Sequence, residues 1–208
     1  MLDGVMRKVI DPGLNRLGRL LALRGIGADA VTLTGLALGV VAAVAIALGL
    51  PGWVALVLLL ASRLADGLDG AVARATRKTD FGGYLDITCD FLFYGAIPLA
   101  FVLRDPGANG VAGAFLLTSF YVNGASFLGY AILAEKRGLQ SRARGEKSLY
   151  FSTGLLEGTE TIGFFAALCL WPDLFSPLAW GFGALCFYTA VSRVVLARRV
   201  FGAAARGD

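Results

Sequence analysis

Six stretches of about twenty mostly apolar residues, divided by short polar connections, constrain this chain more than any other feature. They fall at about residues 30–50, 53–75, 82–103, 111–134, 152–171 and 177–197. Hydrocarbon offers no partner for a backbone N–H or C=O, so only helices and closed barrels span a bilayer. Segments this long and continuously apolar have the length of spanning helices, not the ten-residue alternation of barrel strands. Hydrophobic residues make up 57% of the chain and its mean hydropathy is +0.70, beyond what a soluble globular domain carries. The reading is an all-α polytopic membrane protein with six transmembrane helices. Pro51-Gly52 closes the first stretch, and Pro172 follows the fifth.

Residues 10–23 differ from the six. Leu14, Leu17, Leu20 and Leu21 alternate with Arg16 and Arg19, and Arg24 follows, a pattern that suits an amphipathic helix lying in the membrane interface. No cleavable signal peptide is expected, because the first 24 residues mix charges with apolar residues throughout. One integral membrane domain, 1–208, is therefore expected: an interfacial segment (1–27), a six-helix bundle (28–200) and a short tail (201–208).

Positive charge is distributed unevenly along this frame. Arg7, Lys8, Arg16, Arg19 and Arg24 precede the first span, and Arg74, Arg77 and Lys78 lie between the second and third. Lys136, Arg137, Arg142, Arg144 and Lys147 lie between the fourth and fifth, and Arg198, Arg199 and Arg206 follow the sixth. The remaining loops hold only Arg104. The positive-inside rule then places both termini and the loop after the second span on the cytoplasmic side, which requires an even number of spans. The net charge of +4 reads as membrane orientation and phosphate contact, with no nucleic-acid partner. The Ala, Gly and Leu-rich composition fits a bacterial inner membrane.

Against this apolar background four aspartates stand out: Asp66 and Asp69 in the second span, Asp86 and Asp90 in the third. Carboxylates at membrane depth are costly and mark function by default. Spacings of three and four put each pair on one helix face, so two facing helices can bring four carboxylates together. Carboxylate oxygens suit hard divalent cations such as Mg²⁺, Mn²⁺ or Ca²⁺. The chain has no histidine, so a general base must be a carboxylate, Lys, Tyr or Cys. Cys89, Cys169 and Cys186 lie singly in apolar stretches and read as packing residues.

The pattern Asp66-x-x-Asp69-Gly70-x-x-Ala73-Arg74, then Gly82-x-x-x-Asp86-x-x-x-Asp90, resembles the signature of class I CDP-alcohol phosphotransferases (CDP-alcohol phosphatidyltransferases). The signature covers 25 residues, and the six-span arrangement extends the likeness over nearly the whole chain. The loop between Arg74 and Gly82 is one residue shorter than is usual in the family. The resemblance implies an enzyme of phospholipid biosynthesis that uses two Mg²⁺ or Mn²⁺ ions, with Asp66, Asp69 and Asp86 as ligands. Asp90 would be shared between metal binding and catalysis as the general base. Asp69, Gly70, Ala73, Arg74 and Gly82 would contact the CDP moiety. Gly70 allows a phosphate to approach the helix backbone closely, and Arg74 can pair with its oxygens. Relatives carry polar residues near the start of the first span, which implies a CDP contact for Thr32; Asp29 reads as the N-cap of that helix. Relatives are often homodimers, so a homodimer is expected.

The expected reaction moves a phosphatidyl group from CDP-diacylglycerol to a small alcohol, or a phosphoalcohol from a CDP-alcohol to a lipid hydroxyl, in a membrane of lipids, with release of CMP. Four residues are candidates for holding the acceptor: Lys147, Glu157, Glu160 and Arg193. The cations favour a phosphorylated alcohol such as glycerol phosphate or inositol phosphate. The two glutamates keep an amino alcohol, of the serine, choline or ethanolamine type, as an alternative. A divalent-cation transporter is the alternative from another class, but it has no use for Gly70, Ala73 and Arg74.

Overall fold

The structure is a computed structural model that describes residues 3–138 and 158–202. Among the described residues it is helical, without strands: α1 (Asp3–Leu23), α2 (Ala28–Ala47), α3 (Gly52–Ala75), α4 (Asp80–Arg104), α5 (Pro106–Lys136), α6 (Gly158–Leu170) and α7 (Phe175–Gly202), with a short 3₁₀ turn, Pro172–Leu174, before α7. The chain is a polytopic helical membrane protein. α2, α4, α5 and α7 (with its 3₁₀ turn) are long and apolar enough to cross a bilayer. α3 is as long, but Arg63, Asp66, Asp69 and Arg74 interrupt its apolar run, and α6 is a shorter apolar helix of 13 residues.

Local chemistry sets several boundaries away from the expected ones. α2 stops at Ala47, before Pro51, because Gly49 takes φ +70° and the amides of Gly49 and Leu50 turn back onto the carbonyls of Ile46 and Ala45. Gly27, not Asp29, is the N-cap of α2; Asp29 sits inside the first turn. α5 begins at Pro106, with Asp105 accepting from the Ala108 amide at 2.9 Å, so one residue connects α4 to α5. Thr79 caps α4 by accepting from the Gly82 amide at 3.0 Å, and Asp80 in the first turn complements the helix dipole.

Packing organises the bundle around α2, which lies against both α3 and α4, while α3 and α4 make little direct contact. α4 also packs on α5, α5 on α7, and α3 on α1 and α6. Small residues permit the close approaches, as between helices in lipid. A Cβ on Gly35 would lie 3.3 Å from the Ser62 carbonyl of α3, and one on Gly39 would lie 2.6 Å from the Phe93 ring of α4. α1 reaches α3 in the same way: a Cβ on Gly18 would come within 2.8 Å of the Ala71 backbone. Leu14 is the buried leucine of α1, whereas Leu17 and Leu20 face outward. The core is aromatic and aliphatic, with Phe93, Phe101, Phe165, Phe175, Leu59, Ile97, Leu116 and Leu168 fully buried. The three cysteines are buried and free, as packing residues should be.

Candidate active site

Because α3 and α4 lean on α2 and not on each other, a cleft opens between them with α2 as its floor. The four aspartates project into this cleft from its two walls. One carboxylate oxygen from each of Asp66, Asp86 and Asp90 lies within 4.8 Å of the others. Asp69 stands slightly apart. It is buried, and Thr32 on α2 donates to its Oδ2 at 2.5 Å. The Thr32 hydroxyl also lies 3.1 Å from the Ala28 carbonyl. It has one proton, and the shorter, charge-assisted bond is the one to Asp69.

A cavity of about 500 Å³ continues from the cleft toward the α3–α4 loop. Six of the eight signature residues line it: Asp69, Gly70, Ala73, Arg74, Gly82 and Asp86. Thr32, Asp29, Arg77, Lys78 and Gly83 complete much of the wall. The cavity is of a size that takes a nucleotide-scale ligand, with both carboxylates and cations on its surface. Gly82 is the glycine that the packing requires, since a Cβ there would lie 3.0 Å from Thr79 Oγ1 and 3.2 Å from Asp29 Oδ1. A Cβ on its neighbour Gly83 would meet nothing within 4 Å. Arg74 is exposed at the rim and is steadied by Asn15 of α1, whose Oδ1 accepts from Nε at 3.2 Å and from Nη2 at 2.9 Å.

One residue of the cluster was not among the site residues expected from the sequence. Arg63 reaches across the cleft, its Nη1 2.7 Å from Asp90 Oδ1 and 3.3 Å from Asp66 Oδ1. Its signal was available: an arginine inside an apolar run, three residues before Asp66 and therefore on the same helix face. Asp29 and Asn15 are the other additions, and nothing local marks Asn15, which acts 59 residues away in the chain.

The candidate acceptor residues are less fully placed. Lys147 and Glu157 lie outside the described residues. Glu160 is in the first turn of α6 and half-buried. Arg193 of α7 faces α5, where Nη1 meets the Asn123 side-chain oxygen at 2.9 Å, the Asn123 carbonyl at 3.0 Å and Ser126 Oγ at 2.6 Å. Its partners there are neutral amide and hydroxyl groups.

The donor set at the cleft fits a divalent cation: three clustered carboxylates and a fourth nearby supply hard oxygen ligands and no soft ones. A helical membrane bundle with such a cluster beside a polar cavity has the parts that a membrane-embedded transferase of activated phosphate esters requires. The sequence profile of the CDP-alcohol phosphatidyltransferase family matches residues 26–191, and the chain belongs to that family. It is 47% identical over 194 residues to the inner membrane protein YnjF of Escherichia coli, covering 93% of this chain and 94% of that one. It is 32% identical over 201 residues to the archaetidylinositol phosphate synthase of Methanothermobacter thermautotrophicus, covering 92% and 89%. Its fold matches the crystal structure of Mycobacterium tuberculosis phosphatidylinositol phosphate synthase (PgsA1) with CDP-DAG bound, with a TM-score of 0.71 at 24% identity over 94% of this chain and 98% of the other.

Proposed function

We propose that this transferase moves a phosphatidyl group from CDP-diacylglycerol to a phosphorylated alcohol, of the inositol phosphate or glycerol phosphate type, and releases CMP. The observation that carries this reading is the cavity, which gathers Asp69 and Asp86 with Gly70, Ala73, Arg74 and Gly82. Carboxylates for divalent cations, next to cations and open backbone for phosphate, are what a diphosphate substrate asks of a site. Inositol phosphate is the favoured acceptor because the archaeal relative and the structural neighbour are both named as inositol phosphate lipid synthases.

Asp66, Asp69, Asp86 and Asp90 would hold two Mg²⁺ or Mn²⁺ ions, which when bound neutralise charge on the diphosphate. Arg74 pairs with its outer oxygens, and Gly70 leaves room for it against α3. Asp90 accepts the proton of the acceptor hydroxyl. The hydroxyl oxygen attacks the lipid-side phosphorus, a new P–O bond forms, and the bond to CMP breaks. Arg193 and Lys147 bind the acceptor's own phosphate, and Glu157 and Glu160 contribute to the acceptor site. The chain forms one catalytic domain and works as a homodimer, with both termini and the site on the cytoplasmic side. The basic loops and the inner-membrane relative support the orientation and the location.

The test is CMP release by purified protein in detergent, supplied with CDP-diacylglycerol and each alcohol in turn. Inositol phosphate or glycerol phosphate should support turnover, a chelator should stop it, and Mg²⁺ or Mn²⁺ should restore it. Turnover with serine, choline or ethanolamine alone would overturn the acceptor assignment.

A further inference from the structure

We propose that Arg63 is a built-in cation of the acidic site, a positioning residue that holds Asp66 and Asp90 together and weakens the site's grip on divalent ions. The proposal rests on reading those carboxylates as metal ligands. One nitrogen, Nη1, ties the two walls of the cleft, at 2.7 Å from Asp90 on α4 and 3.3 Å from Asp66 on its own helix. The side chain is only 8% exposed, so it does not snorkel to an interface. Its seat is built from three helices. Nη2 donates to Ser62 Oγ at 3.2 Å, and Ser62 in turn donates to the Gly35 carbonyl of α2 at 2.7 Å. The guanidinium lies over the Phe93 ring, 3.7 Å from its centroid. Phe93 is fully buried and packs edge-on against Phe165. Gly39 makes the room: a Cβ there would strike both Phe93 and Ser62 Oγ.

A guanidinium and a divalent ion draw on the same carboxylates. Asp66 and Asp90 are two of the three that converge within 4.8 Å. Arg63 therefore occupies a lone pair of Asp90, pairs electrostatically with Asp66, lowers the negative charge that attracts an ion, and repels the ion at short range. Its removal would leave like charges facing each other across the cleft, a repulsion that a divalent ion relieves. A purely structural arginine predicts something else, namely that metal binding weakens as the site loosens.

The two accounts separate in direct Mn²⁺ binding, measured by the paramagnetic resonance of free Mn²⁺ on the purified full chain in detergent, without nucleotide or lipid substrate. Arg63→Gln should bind Mn²⁺ at least about fivefold more tightly than wild type, and Arg63→Lys, which keeps the charge, within about twofold. The melting temperature of Arg63→Gln should fall below wild type without metal and rise further on adding Mn²⁺. Unchanged or weaker Mn²⁺ binding by Arg63→Gln overturns the proposal. So does an Arg63→Gln chain that fails to fold even at saturating Mn²⁺, since relief by the ion is the prediction. A wild-type chain that binds no Mn²⁺ would instead bring down the metal-site reading, and this proposal with it.

Discussion

Asp90 and Asp69 are proposed to do different work, and their surroundings differ. Asp90 is about one-third exposed and shares an oxygen with Arg63, so its carboxylate is accessible yet oriented. Replacing it with Asn keeps the shape and removes the proton acceptor; CMP release should fall by at least about 100-fold while the melting temperature stays near wild type. Retained turnover in that variant would remove Asp90 from the role of base. Asp69 is buried and depends on Thr32 for a donor. Thr32→Val deletes the hydroxyl at nearly constant volume and should weaken metal-dependent activity about tenfold, with Thr32→Ser restoring it. A pair of titrations with Mn²⁺ would show whether the loss lies in metal affinity. Both aspartates were legible in the sequence from charge and spacing alone. The partner of Asp69 was not, because Thr32 is 37 residues away and its bond exists only where α2 crosses α3.

Among the elements, α2 decides the site although it carries none of the four clustered signature aspartates. Thr32, Gly35 and Gly39 form one stripe, meeting Asp69, Ser62 and Phe93 in turn. A larger residue in this stripe would lift α3 and α4 off their floor. Gly39→Leu should lower the melting temperature by several degrees and abolish activity, because Phe93 and with it the seat of Arg63 must move. Gly129→Ala is the control, since a Cβ there meets nothing within 4 Å; it should be neutral or stabilise α5 by up to about 1 kcal/mol. Equal damage from both substitutions, read by thermal melting in detergent, would mean that the stripe has no special place. The small-residue spacing of Gly35 and Gly39 was open to reading as a contact face. Which helices it would touch was not.

For the whole molecule, the two ends of the bundle differ in chemistry. The α3–α4 loop, with Arg77 and Lys78, rims the cavity beside the aspartates. Arg104, Asp105 and Asn109 at the α4–α5 junction gather with Pro172 and Asp173 at the entry to α7, so these two connections share one end. The proposed orientation puts the first end in the cytoplasm. In a chain freed of its three native cysteines, Lys78→Cys should react with an impermeant maleimide in inverted vesicles, and Asp173→Cys in intact spheroplasts. Labelling of both from one side would reject the orientation.

The membrane class, the order of the helices and the four aspartates followed from the sequence, because the bilayer punishes unsatisfied backbone and unpaired charge at any position along the chain. The resemblance to the family signature singled out Gly70, Arg74 and Gly82, and the fold brings all three to one cavity. The helix ends were read less well. Gly49 terminates α2 through a backbone turn that Pro51 seemed to explain, and Gly27 takes the cap expected of Asp29. Only tertiary structure put Arg63 between Asp66 and Asp90, Thr32 on Asp69, Asn15 on Arg74 and Arg193 on Asn123. Each of those contacts joins different helices, and their partners are set by which helix faces pack together, a property of the bundle and not of any one segment.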